Sequence, residues 1–254
     1  MIGIITARPL TLTLENTRFP VYYVDNLCVH PDYRKKGIAP NLIQTHHYDT
    51  RHRTPDIAVH LFKREGELTA IVPLVSYFTY MYVLPTIKKH RLSEGIILVS
   101  ITKTNIRLAL AYIYAQSSSY NAVIVAEISN IMTAIYNSCL HPFMLMKADT
   151  VLGLYIFRDP ALSHGSDRVL ECACSLVSCH NDIYMQGFWE AVRRVNKVIK
   201  ARSLMIECLG DNIAINQTIA SKPDIYQLGR SPSAYFLYNY ACRSVTADTT
   251  FILF

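Results

Sequence analysis

The 254-residue sequence predicts an α/β protein built as two related halves. Three observations carry that prediction. Short β-branched and aromatic runs alternate with segments of helical period, and the alternation occurs twice in similar order, which differs from a Rossmann arrangement. A polar stretch from Lys88 to Gly95 separates the two series and sets expected boundaries at 1–92 and 93–254. Hydrophobic residues make up 51% of the chain and charged residues only 17%, enough to build a real core and too apolar for disorder.

Taken in order, Met1–Ala7 and Leu10–Leu14 read as extended, with Pro9 marking an edge or turn between them. Val21–Val29 is a long aromatic and β-branched strand, and Gly37–Arg51 a helix with Ile38, Leu42 and Ile43 inward. Ile57–Phe62 and Leu68–Val75 read as strands around a turn at 63–67. Then come a strand at Ile96–Ile101, a helix at Thr104–Gln116 and a helical segment at Ala126–Cys139. Phe143–Met146 and Val151–Phe157 flank a hairpin signal at Lys147–Thr150, and Arg168–Ser178 is a strand. Phe188, Ala191, Val192, Val195, Val198 and Ile199 follow the i, i+3, i+4, i+7 spacing of a helix packed on a sheet. Leu204–Cys208, Ala234–Cys242 and Thr249–Phe254 close the chain as strands.

The formal charge of +6 is modest and its basic residues are scattered, with short clusters at Arg34–Lys36, Lys88–Arg91 and Arg193–Lys200; an anionic ligand fits better than a nucleic acid. Seven cysteines, an odd number without a C-x-x-C pair, read as reduced core thiols of a cytoplasmic protein, with Cys172 and Cys174 on one face with Leu170 and Leu176. No spacing matches a structural zinc site, so no metal is expected. Two uncharged runs, Leu68–Ile87 and Leu108–Ala126, are interrupted by prolines or serines and read as core segments. Ser163-His164-Gly165-Ser166-Asp167 holds triad residue types, but adjacency in sequence is not triad geometry.

The segment Val24–Pro40 concentrates the chemistry. A strand runs into the basic turn Arg34-Lys35-Lys36-Gly37 and a helix begins at once, an arrangement that aims main-chain N–H groups at one anion. The spacing Arg34-x-x-Gly37-x-Ala39 resembles the pyrophosphate loop of the GNAT acyltransferases, which implies a CoA thioester. The longer run, through Leu27, Cys28, Val29, His30, Arg34, Lys36, Ala39 and Pro40, resembles the first signature of glycylpeptide N-myristoyltransferases. Ala234-Tyr235-Phe236-Leu237-Tyr238-Asn239-Tyr240-Ala241-Cys242, followed by the apolar end Phe251–Phe254, resembles that family's C-terminus in the right order and at about the right separation.

The resemblance implies two GNAT-like halves with mixed, mostly antiparallel sheets, the first truncated at its N-terminus and binding acyl-CoA, the second binding peptide. It implies transfer of a myristoyl group from myristoyl-CoA to the N-terminal glycine of a protein or peptide. The main-chain amides of Asn26 and Leu27 then polarise the thioester, and the α-carboxylate of Phe254 accepts the proton of the glycine amine. Cys28, Val29, Arg34, Lys35, Lys36, Gly37, Ile38, Ala39 and Pro40 then contact the CoA. Three positions depart from the family pattern: Asp25 stands in place of an Asn near the amine, Leu61 in place of a Thr, and Arg230 in place of an Asp. Asp25 offers a second base or a partner for the ammonium. The departures keep open a non-catalytic acyl-CoA- or peptide-binding remnant, and the loop alone keeps open an acetyltransferase using acetyl-CoA. Exposed apolar sheet around Ile2, Ile4 and Leu12 is expected to pair with a second copy or a partner chain.

Overall fold

A computed structural model describes residues 1–67, 71–87, 92–164 and 167–254. The strands are β1 (Gly3–Leu14), β2 (Thr17–Val29), β3 (Val59–Glu65), β4 (Val75–Val83), β5 (Ile96–Ser100), β6 (Ala122–Val125), β7 (Leu140–Lys147), β8 (Thr150–Arg158), β9 (Ser163–His164), β10 (Asp167–Val177), β11 (Ser203–Glu207), β12 (Gln227–Tyr238) and β13 (Thr250–Leu253). The helices are α1 (Ile38–Arg53), α2 (Ile106–Gln116), α3 (Ile128–Tyr136), α4 (Asn181–Ile199) and α5 (Asn212–Ala220).

The strands form one mixed sheet in the order β13-β6-β1-β2-β3-β12-β4-β11-β10-β8-β7-β5, with β9 paired to β10. Most pairings are antiparallel; β2 with β3, β10 with β11 and β6 with β13 are parallel. The chain interleaves: β12 inserts between β3 and β4, and the last strand returns to lie beside β6, next to β1.

Two cores result, one centred on Leu10, Leu12, Leu61, Ile124 and Tyr235, the other on Leu145, Phe157, Phe188, Val192 and Ile206. The helical spacing read in the sequence is the buried stripe of α4, although Val198 itself is exposed. Fully burying a side chain such as Phe188 stabilises by about 1.5–3 kcal/mol. Gly187 lets α4 approach the sheet: a Cβ there would sit 2.5 Å from the Tyr155 hydroxyl and 2.9 Å from Leu145 Cδ1.

Several expectations need correction. The strand expected at Leu68–Val75 lies at Val75–Val83, and residues 68–70 are outside those described, as are 88–91 of the polar boundary. The expected turn at 63–67 begins only after Glu65, because Lys63 and Arg64 continue β3 against Tyr235 and Ala234 of β12. The helix read over Ala126–Cys139 shortens to Ile128–Tyr136, and β12 starts at Gln227 and stops at Tyr238. β6 and α5 were not anticipated; four residues are too few for a period to show. Leu12 is fully buried, not exposed, because β6 pairs along Thr11–Leu14 and covers it; Ile2 and Ile4 do remain exposed. Cys172 and Cys174 do not share a face, since a bulge at Ala173 turns the strand and sends Cys172 to one core and Cys174 to the other.

All seven cysteines are free. Among the described residues no helix is long and apolar enough to cross a membrane, and no group of three His, Cys, Asp or Glu side chains is placed to hold a metal ion. Gly165 and Ser166 of the triad-like stretch lie outside the described residues.

Candidate active site

The site begins with a defect in an otherwise regular ladder. β1 and β2 pair from Leu14/Thr17 to Gly3/Val29, but the register slips between Thr6/Asn26 and Ala7/Val24, leaving Asp25 as an extra residue. Such a bulge bends the strand and re-aims the residues beside it. On its other side β2 pairs with β3 only from Val21 to Val24. Beyond that point β3 goes on with β12 while β2 continues without a strand partner on that flank among the described residues, and Asp25, Asn26 and Cys28 are exposed. The His30 N–H donates to the Ile2 carbonyl at 2.9 Å. Counting back from that bond, antiparallel alternation turns the Leu27 and Val29 N–H groups away from β1, toward the open flank. The same count turns the Asn26 N–H toward Thr6 of β1, because the slip falls only beyond the Thr6/Asn26 pair, and the Asn26 side-chain amide also donates to Thr6 Oγ1 at 3.1 Å.

The basic turn follows directly. A short 3-10 turn at Pro31–Tyr33 leads to Lys35 at φ +62° and Gly37 at φ +74°, two left-handed positions that curl the backbone before α1. Gly37 caps α1 without any side-chain hydrogen bond, so the first-turn N–H groups face outward. Arg34, Lys35 and Lys36 are exposed around them; Arg34 Nε donates to the Val29 carbonyl at 3.3 Å and the Lys36 ammonium lies 4.9 Å from the centre of the Tyr33 ring. This surface can hold phosphates through main-chain and cationic donors together.

The last residue reaches the same neighbourhood. Phe254 is half-buried, with its ring centre 4.2 Å from that of Tyr23 on β2 and 6.2 Å from that of Tyr235 on β12. Arg8 links it to the bulge: its guanidinium lies 5.3 Å from the Phe254 ring centre, and its Nε donates to Asp25 Oδ1 at 3.0 Å. Burial raises the Asp25 carboxyl above its ordinary value, with Arg8 pulling the other way. Arg8 thus joins Phe254 to Asp25, with Asn26, Leu27 and the basic turn following along and beyond β2, and Leu61 is buried in β3. Arg230 sits apart on β12, 4.9 Å over the Phe78 ring.

Beneath Phe254 lies a group of charges that the sequence reading did not single out. Lys63 Nζ contacts both Glu207 Oε1 and Glu65 Oε1 at 2.6 Å, and the Tyr77 hydroxyl donates to Glu207 Oε2 at 3.0 Å. Arg158 grips Glu171 with two nitrogens, Nη2 to Oε1 at 2.8 Å, and reaches Glu207 Oε1 at 3.5 Å. The Glu171 side chain is 0% exposed and that of Glu207 4%. Burial pushes Glu171 up to about 7 against the pull of Arg158, with Glu207 adding to the rise. Burial opposes ionisation of Glu207 too, but Lys63 and then Arg158 hold it below the usual carboxylate range. Burial raises Tyr23 to about 12. A partly open cavity of about 10 Å³ is lined by Arg158, Glu207, Tyr235 and Phe254 with their apolar neighbours, room for about one water. A signal for these residues was present in the sequence: single charges inside apolar strands, as in Leu204-Met205-Ile206-Glu207 and Val169-Leu170-Glu171-Cys172.

Two further features lie on the opposite face, where alternation along β1 places Thr11 and Thr13. An open cavity of about 710 Å³ is lined there by Thr11, Thr13, Arg18, Tyr114 and Glu127. His46 and His47 each pack edge to face against His60, with ring centres 5.3 and 5.1 Å away, and burial lowers all three, His60 to about 4.

No protein-family model matches this chain, and no curated protein sequence matches it. The structure superposes on N-myristoyltransferase from Saccharomyces cerevisiae with bound myristoyl-CoA at TM-scores of 0.73 and 0.76, over 97% and 98% of this chain, with 13% sequence identity. This chain spans 68% and 66% of those two chains, about two thirds of their length. A GCN5-related N-acetyltransferase from Kribbella flavida gives a TM-score of 0.56 at 11% identity, over 91% of this chain and 56% of that one. The fold is therefore that of the N-myristoyltransferases, with the GNAT acetyltransferases as more distant neighbours.

Proposed function

We propose that this chain is an acyl-CoA N-acyltransferase that moves a fatty acyl group, myristoyl by preference, from acyl-CoA to the N-terminal glycine of a protein or peptide. The observation that carries the reading is the bulged, one-sided stretch of β2, with outward main-chain amides at Leu27, a phosphate-ready turn at its end and Phe254 packed beside it. The turn Arg34–Gly37 and the first turn of α1 hold the CoA phosphates, with Cys28 and Val29 on the approach. The Leu27 amide stabilises the oxyanion formed when the amine attacks the thioester, a well-aimed donor contributing about 2.7–4 kcal/mol to such a step, while Asn26, bonded to Thr6, holds the bulge that aims it. The α-carboxylate of Phe254 takes the amine proton, and CoA leaves as thiolate. Asp25, engaged by Arg8, orients the incoming ammonium rather than serving as the principal base.

The test is incubation of the chain with labelled myristoyl-CoA and a glycine-leading peptide, beside an alanine-leading control and a variant with one residue added after Phe254. The proposal expects product only from the glycine peptide, and about a hundredfold slower turnover in the extended variant, as loss of a general base entails. Equal turnover by both proteins rejects the terminal base, and turnover of acetyl-CoA alone assigns the chain to acetyl transfer.

A further inference from the structure

The first strand is paired unevenly. On one side β1 runs with β2 over its whole length, from Gly3/Val29 to Leu14/Thr17. On the other side β6 covers only Thr11–Leu14, and among the described residues no strand lies beside Gly3–Pro9 on that flank. Two hydrogen bonds fix which main-chain groups face the gap. The His30 N–H bonds to the Ile2 carbonyl, so Ile2, Ile4 and Thr6 turn their N–H and C=O groups to β2. The Glu15 N–H bonds to the Asn121 carbonyl, one step past the Leu14/Ala122 pair, so the odd-numbered residues face the β6 side. The two counts agree. Gly3, Ile5 and Ala7 hold their N–H and C=O groups toward an open flank, and Pro9, with no N–H to offer, stands where the cover of β6 gives out.

Charged side chains commonly guard a strand edge that must stay single. Met1–Ala7 carries no charged side chain, and Arg8 is drawn to Asp25. Ile2 and Ile4 are 49% and 40% exposed. The segment also matches itself. Turned end for end about Ile5, it sets Gly3 against Ala7 of a second copy and Ile5 against Ile5, so every open N–H and C=O from Gly3 to Ala7 finds a partner. Ile4 then lies beside the second copy's Thr6 and diagonal to its Ile4, and Ile2 lies opposite Arg8, so no like charges oppose each other. Moving the register two residues toward β6 would bring the second copy's Met1 onto Thr11, where Val125 already pairs. Moving it two residues the other way leaves Ala7 opposite Met1, outside the strand.

We propose that this chain forms a two-fold dimer in which the Gly3–Ala7 edges of two copies pair antiparallel about Ile5 and join the two sheets into one. In such a pairing the two-fold axis stands perpendicular to the sheet, so a given residue lies on the same face in both copies. Alternation along β1 puts Ile2 and Ile4 on the face of Arg8, which touches Asp25 and the Phe254 ring. The two candidate clefts therefore open on one side of the joined sheet, with the four isoleucines between them sheltered from water. The pairing uses main-chain groups and apolar side chains alone and does not rest on the acyl-transfer reading.

The experiment is sedimentation velocity on the whole chain from about 1 to about 100 μM, with amide hydrogen exchange read by NMR at both ends of that range. Monomer is expected to pass to dimer within it, as a small interface gives. Protection of the Gly3, Ile5 and Ala7 amides is expected to rise about tenfold or more with concentration, while Ile4 and Thr6, bonded to β2, stay protected throughout. Ile5→Pro removes an N–H that bonds to nothing within the chain, and is expected to hold the protein monomeric at every concentration with the urea midpoint of the monomer kept. Should that variant fail to fold, Ile4→Lys changes an exposed side chain and sets two ammonium groups diagonally across the axis. It is expected to weaken the dimer about tenfold at low salt, with part of the loss recovered at high salt. A monomer at all concentrations overturns the proposal, and so does a dimer indifferent to both variants. Protection of the three odd-numbered amides at every dilution also overturns it, because the flank is then filled within the chain.

Discussion

The open flank of β2 and the buried charges beneath Phe254 lie within a few strands of each other and are built on opposite principles. At the flank the groups proposed to act are main-chain amides, set by a bulge and two left-handed residues, while the side chains of Asp25, Asn26 and Cys28 are exposed. Under Phe254 the working groups are side chains, closed off by the sheet and held by one another. A main-chain site tolerates changes of side chain, because the donors are supplied by the backbone. A buried ionic site tolerates almost none, because removing one partner strands another charge.

That contrast is sharpest in stability. Glu207→Ala leaves Lys63 and Arg158 without their shared partner and is expected to destabilise the fold by about 3–5 kcal/mol in urea unfolding. Asn26→Ala, at the exposed bulge, is expected to stay within about 0.5 kcal/mol. Similar values for the two would erase the distinction.

Ligand affinity should invert the order. Lys35→Ala with Lys36→Ala is expected to weaken acyl-CoA binding about tenfold or more in calorimetry, with a shallower salt dependence and an unchanged urea midpoint. Gly37→Ala places a side chain at φ +74° and is expected to cost about 1 kcal/mol of stability while also weakening binding. An affinity unmoved by these changes would mean that the phosphates bind elsewhere.

The smallest effect is expected on the far face. His60 is lowered to about 4 by burial and by His46 and His47, so between pH 6.5 and 4 the unfolded chain binds a proton that the folded chain does not. Stability should therefore be full above pH 6.5 and fall as pH drops through that window. A urea midpoint independent of pH from 7 to 4.5 would show that these imidazoles titrate normally.

How far the sequence could be read follows the same division. Val24–Pro40 was legible because its strand, turn and helix start are contiguous, and a contiguous main-chain device leaves a spaced signature of Gly, Arg and Lys. The fold class was legible for a similar reason, since α4 and the long strands have clear periods. The network was hidden because Lys63, Arg158, Glu171 and Glu207 come from four strands up to 144 residues apart, and only the interleaving of β12 and β4 brings them together. The burial of Leu12 was missed for the same cause: its cover is β6, a four-residue strand arriving from another part of the chain. The face of Cys174 was misread because a bulge breaks the two-residue period without any sequence mark.

The decisive measurement is the amide NMR spectrum of the protein titrated with a non-hydrolysable ketone analogue of myristoyl-CoA. A thioester carbonyl seated at the bulge predicts a large downfield shift of the Leu27 N–H signal, joined by shifts at Asn26 and at residues 34–39, in one saturable binding step. Saturable binding that leaves those amides unmoved, or moves residues around Thr11 and Glu127 on the far face instead, would contradict it.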